Sequence, residues 1–219
     1  MIKKLYILFK LGRKLAKSDA LSIFTKFHNP PIGIKILFYL LSLSFSKKDN
    51  SFVNETEGER LSNSLQSMGT TFIKLGQFLA TRPDIIGEKL SKQLESLQDR
   101  LPPFELSKAK EIIKKDLGED NFNSIINLSE PVAAASIAQV HKAQINDNGT
   151  IKDVAIKILR PNIKKIFNEE IDALMLFAFL TESIIKKTKR LKLVEVVYLL
   201  KEITNLEMDL RFEAAAANE

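Results

Sequence analysis

Apolar positions along this chain follow two periods, and the switch between them divides it. From Leu61 the apolar residues Leu61, Leu65, Met68, Phe72, Leu75 and Leu79 recur at helical spacing, which predicts one long amphipathic helix. Arg82-Pro83-Asp84 breaks that pattern, and a second helix is expected from about Ile85 to Leu97. Pro102-Pro103 closes this region. A third helix then runs to Leu117, with Ser107 as the candidate cap and Gly118 as the stop. The period next drops to two. Ile137 to Ile145 and Ile151 to Leu159 alternate on either side of Asn146-Asp147-Asn148-Gly149, a strong hairpin signal. After Arg160-Pro161-Asn162 the helical period returns, predicting a long helix from Ile163 to about Lys187 and a last one from Leu193 to the C-terminus. The run Lys186-Lys187-Thr188-Lys189-Arg190 reads as a solvated helix end and loop.

The first 48 residues differ from the rest. Leu5, Leu8, Phe9, Leu15, Ala16, Ile23, Phe24 and Phe27 recur at helical spacing, with Lys10, Lys14 and Lys17 on another face. A second apolar run, Ile32 to Phe45, is too short to span a bilayer. Ser46 to Gly58 is polar and reads as a linker. Residues 1–48 carry ten Lys and Arg against Asp19 alone, a net +9, while the remainder holds 23 basic and 26 acidic residues, a net −3. The chain's formal +6 therefore belongs to an arm and not to the body. A nucleic-acid-binding domain carries its positive field on the folded body, so that class is disfavoured. A basic amphipathic arm instead fits an anionic membrane surface. Plain packing of the arm on the body is the competing reading.

Composition removes further classes. Hydrophobic residues make up 45% and charged residues 27%, the balance of a globular chain. Cysteine is absent, and His28 and His141 are the only histidines. Disulfides, thiolate metal sites and a Ser-His-Asp site are thereby excluded or disfavoured.

The candidate chemistry lies where the strands begin. Val132-Ala133-Ala134-Ala135-Ser136-Ile137-Ala138-Gln139-Val140 is a run of small residues entering a strand, and the second strand carries Lys157 within Val154-Ala155-Ile156-Lys157-Ile158. A lysine among apolar neighbours is costly without an anionic partner. A small-residue loop over phosphates, with a lysine on the strand beyond, is how a protein-kinase fold holds ATP. The usual loop is glycine-rich, and alanines stand in its place here. Each adds a Cβ and narrows the backbone's freedom. Two further groups draw attention. Lys74 and Gln77, in Lys74-Leu75-Gly76-Gln77, share a helix face, and Gly76 permits close approach by another backbone. Glu207, Asp209 and Glu213 fall on the last predicted helix, the latter two one turn apart. Glu169, Glu170 and Glu182 are rival partners for Lys157 that periodicity leaves open.

Five motifs occur in order: Lys-x-Gly-Gln, Gln-Asp-Arg-Leu-Pro-Pro from Gln98, Ala-Ala-Ala-Ser-Ile-Ala-Gln-Val-His, Val-Ala-Ile-Lys-x-x-Arg-Pro and Glu-x-Asp-x-x-x-Glu-Ala-Ala. Together they resemble the UbiB family of atypical kinase-like proteins, of bacterial type, over about residues 55–218. The resemblance implies an α+β fold: a kinase-like small lobe over 119–219, preceded by a helical extension over 55–118 and the arm over 1–48. It implies that Val132 to Val140 cover ATP phosphates, that Lys157 contacts them and pairs with Glu207, and that Lys74 pairs with Glu213 while Gln77 approaches the Glu-x-Asp segment. It also implies a role in ubiquinone (coenzyme Q) biosynthesis, a peripheral place on the cytoplasmic side of the bacterial inner membrane, and other ubiquinone-biosynthesis proteins as partners. After Lys157 the sequence has neither Asp-x-x-x-x-Asn nor Asp-Phe-Gly, so catalytic and metal-binding residues are not expected in it. Mg²⁺ is expected only in a full-length protein. In the family a catalytic lobe follows the Glu-x-Asp helix. The chain is therefore expected to be a fragment, or a truncated or decayed gene product, without ATP turnover of its own. The alternative is a non-catalytic, membrane-peripheral lipid- or protein-binding module.

Overall fold

The structure is a computed structural model that describes residues 2–17, 56–147 and 149–217. The expectations for Ile32–Phe45, for most of the linker and for Asn148 lie outside the described residues. In chain order the elements are α1 (Ile2–Lys17), α2 (Glu57–Met68), α3 (Thr70–Ala80), α4 (Pro83–Ile86), α5 (Glu88–Leu94), α6 (Leu106–Leu117) and α7 (Glu119–Asn123). There follow β1 (Ile125–Ala134), β2 (Ala138–Asp147), β3 (Thr150–Leu159), α8 (Ile163–Ile184), a 3₁₀ turn (Lys186–Leu191), α9 (Leu193–Glu207) and α10 (Leu210–Ala216). The chain forms two compact units. One gathers the residues up to Gln98 with Ile166–Leu206, and the other gathers Asp99–Lys165 with Glu207 onward.

The first unit is helical. A capping box starts α2: the Thr56 hydroxyl accepts from the Glu59 amide at 3.3 Å, and the Glu59 carboxylate accepts from the Thr56 amide at 2.7 Å. These bonds to the charged form hold the Glu59 carboxyl below its ordinary pKa. The end of the expected linker is thus already helix. The apolar stripe from Leu61 to Leu79 is real but belongs to two helices, because Gly69 turns the chain at φ +105°. Gly87, at φ +83°, likewise splits the expected helix after Pro83 into α4 and α5. Only glycine enters that region at little cost, and apolar spacing runs straight across both breaks. Leu61, Leu65, Phe72, Ile73, Leu90, Leu94 and Leu97 are buried, as are Phe167, Ile171, Leu174, Val196, Val197 and Leu200 of the later helices. Lys3 and Lys4 of α1 pair with Glu169 and Asp172 of α8 at 2.5 and 2.9 Å.

The second unit is an antiparallel sheet in the order β1-β2-β3, with α6 against one face. The β2–β3 ladder is regular from Ala138↔Leu159 to Asp147↔Thr150. Its turn is closed by the Gly149 amide donating to the Asn146 side-chain oxygen at 2.8 Å, where the sequence placed it. Strand β1 is the element the sequence hid. Three register irregularities, between Ile125 and Asn127, Leu128 and Pro131, and Pro131 and Ala133, scramble its alternation. Ala109, Ile113 and Ile158 form the buried centre beneath the sheet, joined by Phe104, Leu128 and Ile156. Glu105, not Ser107, stands at the start of α6, and Gly118 stops it as read. The predicted long helix from Ile163 ends at Ile184, before the basic run. The predicted last helix is interrupted. Met208 is buried, and Asp209 leaves helical geometry to cap α10, its carboxylate accepting from the Arg211 amide.

The candidate nucleotide-binding lobe

Strand parity sets the two faces of the small sheet. Gln139 and Ile158 face α6, whereas Val140 and its register partner Lys157 stand on the other face. Lys157 Nζ lies 2.5 Å from Glu213 Oε2, on the first full turn of α10. Both groups keep contact with solvent, at 37% and 61% side-chain exposure. The expected partner of Lys157 was different: the resemblance implied Glu207. The break at Asp209 is the reason for this correction. Glu207 is the last residue of α9, and the restart at Leu210 delivers Glu213, not Glu207, to β3. Lys74 and Gln77 sit on α3 in the first unit, where Gly76 makes close contact with side chains instead of the expected backbone. A Cβ there would lie 2.5 Å from Leu97 Cδ2 and 2.8 Å from Leu65 Cδ1.

Asp209 itself faces Arg211, with Nε to Oδ1 at 2.7 Å and Nη2 to Oδ2 at 2.5 Å. These charge-assisted bonds hold the Asp209 carboxyl at a pKa of about 2, and the same bonds raise Arg211. Among the described residues no group of three or more His, Asp or Glu is arranged to hold a metal ion.

The small-residue segment is a hairpin between β1 and β2. Val132 and Ala133 are exposed on β1, Ala134 ends that strand, and Ala135-Ser136-Ile137 makes the turn into Ala138. The Ala135 amide donates to the Ala138 carbonyl at 2.8 Å. Ser136, Ile137, Ala138 and Gln139 are buried, so among these four the side chains pack into the protein. Gln139 has a structural task instead. Its oxygen accepts from the Phe104 amide at 2.9 Å and its nitrogen donates to the Phe104 carbonyl at 3.1 Å, an arrangement otherwise made by a neighbouring strand. The same nitrogen lies 2.9 Å from His141 Nε2, while His141 Nδ1 lies 2.8 Å from the Ser129 carbonyl. These partners assign the Nδ1–H tautomer, with Nε2 as acceptor.

Two residues that sequence reasoning noticed, but gave no role, surround the turn. The Ser136 amide donates to Asp99 Oδ1 at 3.0 Å. The Arg160 guanidinium donates twice to the Ala135 carbonyl, at 2.9 and 2.8 Å, and once each to Leu101 and Pro102, at 3.1 and 3.0 Å. Burial lowers the pKa of Arg160, and the nearby Asp99 charge opposes that. A separate groove of about 550 Å³ in the first unit is lined by Arg82, Arg190, Lys192, Glu195 and Leu199 among others, and by none of the expected site residues.

An antiparallel sheet with a small-residue hairpin at one end and a third-strand lysine paired to a helix carboxylate is the small lobe of a kinase-like fold. The chain belongs to the ABC1 atypical kinase-like family, whose profile matches residues 96–219. It is 39% identical over 165 residues to the probable protein kinase UbiB of Marinobacter nauticus, covering 75% of this chain and 30% of that protein. It is 36% identical over 190 residues to the protein of that name from Azotobacter vinelandii, covering 86% and 34%. With that of Vibrio cholerae serotype O1 it shares 32% over 222 residues, covering 99% and 38%. The chain thus spans roughly a third of the length of these relatives. No solved structure matches it.

Proposed function

We propose that this chain is the nucleotide-gripping small lobe of an atypical kinase-like ATPase that supports ubiquinone biosynthesis. The observation that carries the reading is Lys157: a cation on an exposed sheet face, ion-paired to Glu213 beside an alanine hairpin. The names of the relatives as probable protein kinases support it. ATP, when bound, supplies the phosphoryl group. The protein's part is to hold it. Lys157 offers a positive charge to the phosphates, and Glu213 keeps that ammonium oriented. The hairpin fits less completely, because the Ala135 and Ser136 amides are already engaged.

Lys157→Met tests the reading. Nucleotide binding, followed by fluorescence of a labelled ADP with Mg²⁺, should fall at least about tenfold, since a cation–phosphate contact is lost. Stability should change by only about 0–1 kcal/mol, the worth of a solvent-exposed ion pair. Unchanged nucleotide affinity would sink the assignment.

A second reading, contact with a lipid surface through the N-terminal arm, has its own support. Ile2, Leu5, Tyr6 and Phe9 of α1 are exposed, with Ile2 at 84%. Lys3 and Lys4 are engaged by α8 carboxylates, and among the arm side chains described Lys10 and Arg13 are the further cations that could attract anionic headgroups. Among the described residues no helix is long and apolar enough to cross a membrane. Tyr6→Asp should reduce co-sedimentation with vesicles containing anionic phospholipid, without touching nucleotide binding. Equal sedimentation of the two proteins would discard this surface.

A further inference from the structure

The tip of the alanine hairpin presents its polar backbone to the protein and not to a ligand. The Ala135 amide closes the turn on Ala138, and the Ala135 carbonyl takes two bonds from Arg160. The Ser136 amide goes to Asp99, and the Ile137 carbonyl accepts from the Arg160 amide at 2.9 Å. A carboxylate oxygen on a loop amide occupies the position a phosphate oxygen takes when such a loop cradles a nucleotide. The Ser136 N–H cannot serve both.

The direction of these bonds matters as much as their number. Phe104 packs with Ala109, Ile113 and Ile158, on the sheet face opposite Lys157. The Leu101 and Pro102 carbonyls that receive Arg160 lie three and two residues before it, and Arg160 follows Ile158 by two residues, the spacing that returns to one face. Both charges therefore draw the tip toward the 99–104 segment and away from the lysine.

We propose that Asp99 and Arg160 form a latch that holds the alanine hairpin withdrawn, and that nucleotide phosphates compete with Asp99 for the Ser136 amide. The idea rests on the nucleotide reading above. Its signature is a divergence of two quantities. Residues that merely support a binding site lose stability and affinity together when altered. A latch loses stability while affinity rises, because the nucleotide no longer has to break the bond to Asp99.

The test uses the intact protein with labelled ADP and Mg²⁺, together with hydrogen–deuterium exchange over residues 133–139. Asp99→Ala should bind roughly tenfold more tightly, about 1.4 kcal/mol, the lower end of what a charge-assisted hydrogen bond is worth. It should melt lower and exchange the Ser136 amide faster without nucleotide. Asp99→Asn, which keeps an acceptor but not the charge, should fall between it and the parent; being isosteric, it carries the test if the alanine variant does not fold. Arg160→Lys keeps a charge but loses the pair of hydrogen bonds to the Ala135 carbonyl, and should shift affinity in the same direction. Equal or weaker binding by these variants overturns the latch. If Lys157→Met loses binding while the Asp99 variants gain none, only the latch fails. If neither the parent nor any variant binds nucleotide, the nucleotide reading fails and the latch with it.

Discussion

Gly76→Ala sets two effects of known sign against each other. Gly76 lies inside α3, seven residues into an eleven-residue helix, where alanine in place of glycine favours the helix by about 0.5–1 kcal/mol. The new methyl would however sit 2.5 Å from Leu97 Cδ2 and 2.8 Å from Leu65 Cδ1, well inside contact distance. Side-chain ends yield easily only where they have somewhere to go. Leu65 and Leu97 are 4% and 5% exposed, so either must rotate into packed core. Overpacking of that kind costs about 1–3 kcal/mol. The net expectation is destabilisation of about 0.5–2 kcal/mol, a fall in Tm of very roughly 1–8 °C at about 2–4 °C per kcal/mol for a chain of this size. Thermal unfolding followed by circular dichroism, with urea titration as a second scale, reads it directly. Gly76→Ala combined with Leu97→Val should recover part of the loss on the Gly76→Ala step, because the smaller side chain frees the space the methyl needs. A Tm equal to or above the parent's, or no coupling between the two changes, would show that glycine is not there for room.

Gln139→Ala should be among the costlier single changes in the second unit, at about 2–4 kcal/mol in urea unfolding, since it strands the Phe104 amide and carbonyl and the His141 ring together; a cost under 1 kcal/mol would mean that water replaces it freely. The Asp209 carboxyl, held at about 2 by Arg211, titrates below its unfolded value. Its depressed pKa therefore contributes stability that is complete above about pH 4 and is lost as pH falls toward 2. Arg211→Ala should return the Asp209 titration, followed by carbon NMR of the carboxyl, toward 3.8 and remove that part of the acid dependence; an unchanged midpoint would contradict the pairing.

Particular residues show what the sequence could reveal and what it could not. The β2–β3 hairpin was legible because two alternating apolar runs flank Asn146 and Gly149, and both turn residues act as their chemistry suggests. Gly118 was legible as a helix stop for the same local reason. Gly69 and Gly87 carried a signal too, but apolar spacing continues across each, and periodicity outweighed punctuation. Strand β1 was hidden because its irregularities shift the alternation by which a strand is recognised. At the site, Lys157 and the alanine segment stood out by composition. The choice of its partner did not, since it depends on a helix break set by the capping side chain of Asp209 and the buried Met208. The neighbours of the hairpin tip, Asp99 and Arg160, lie 37 and 24 residues from Ser136, and no spacing rule connects them.

The unevenness of β1 has a consequence for the life of the chain before it is fully folded. As an outer strand of the sheet it has one edge that no strand among the described residues pairs with, the kind of edge on which a second copy can lengthen a sheet. Continuous cross-chain pairing requires a straight run of amides at regular intervals. Pro131 removes one donor, and each change of register turns neighbouring groups out of line. The distortions that place the alanine hairpin also leave this border a poor template for aggregation.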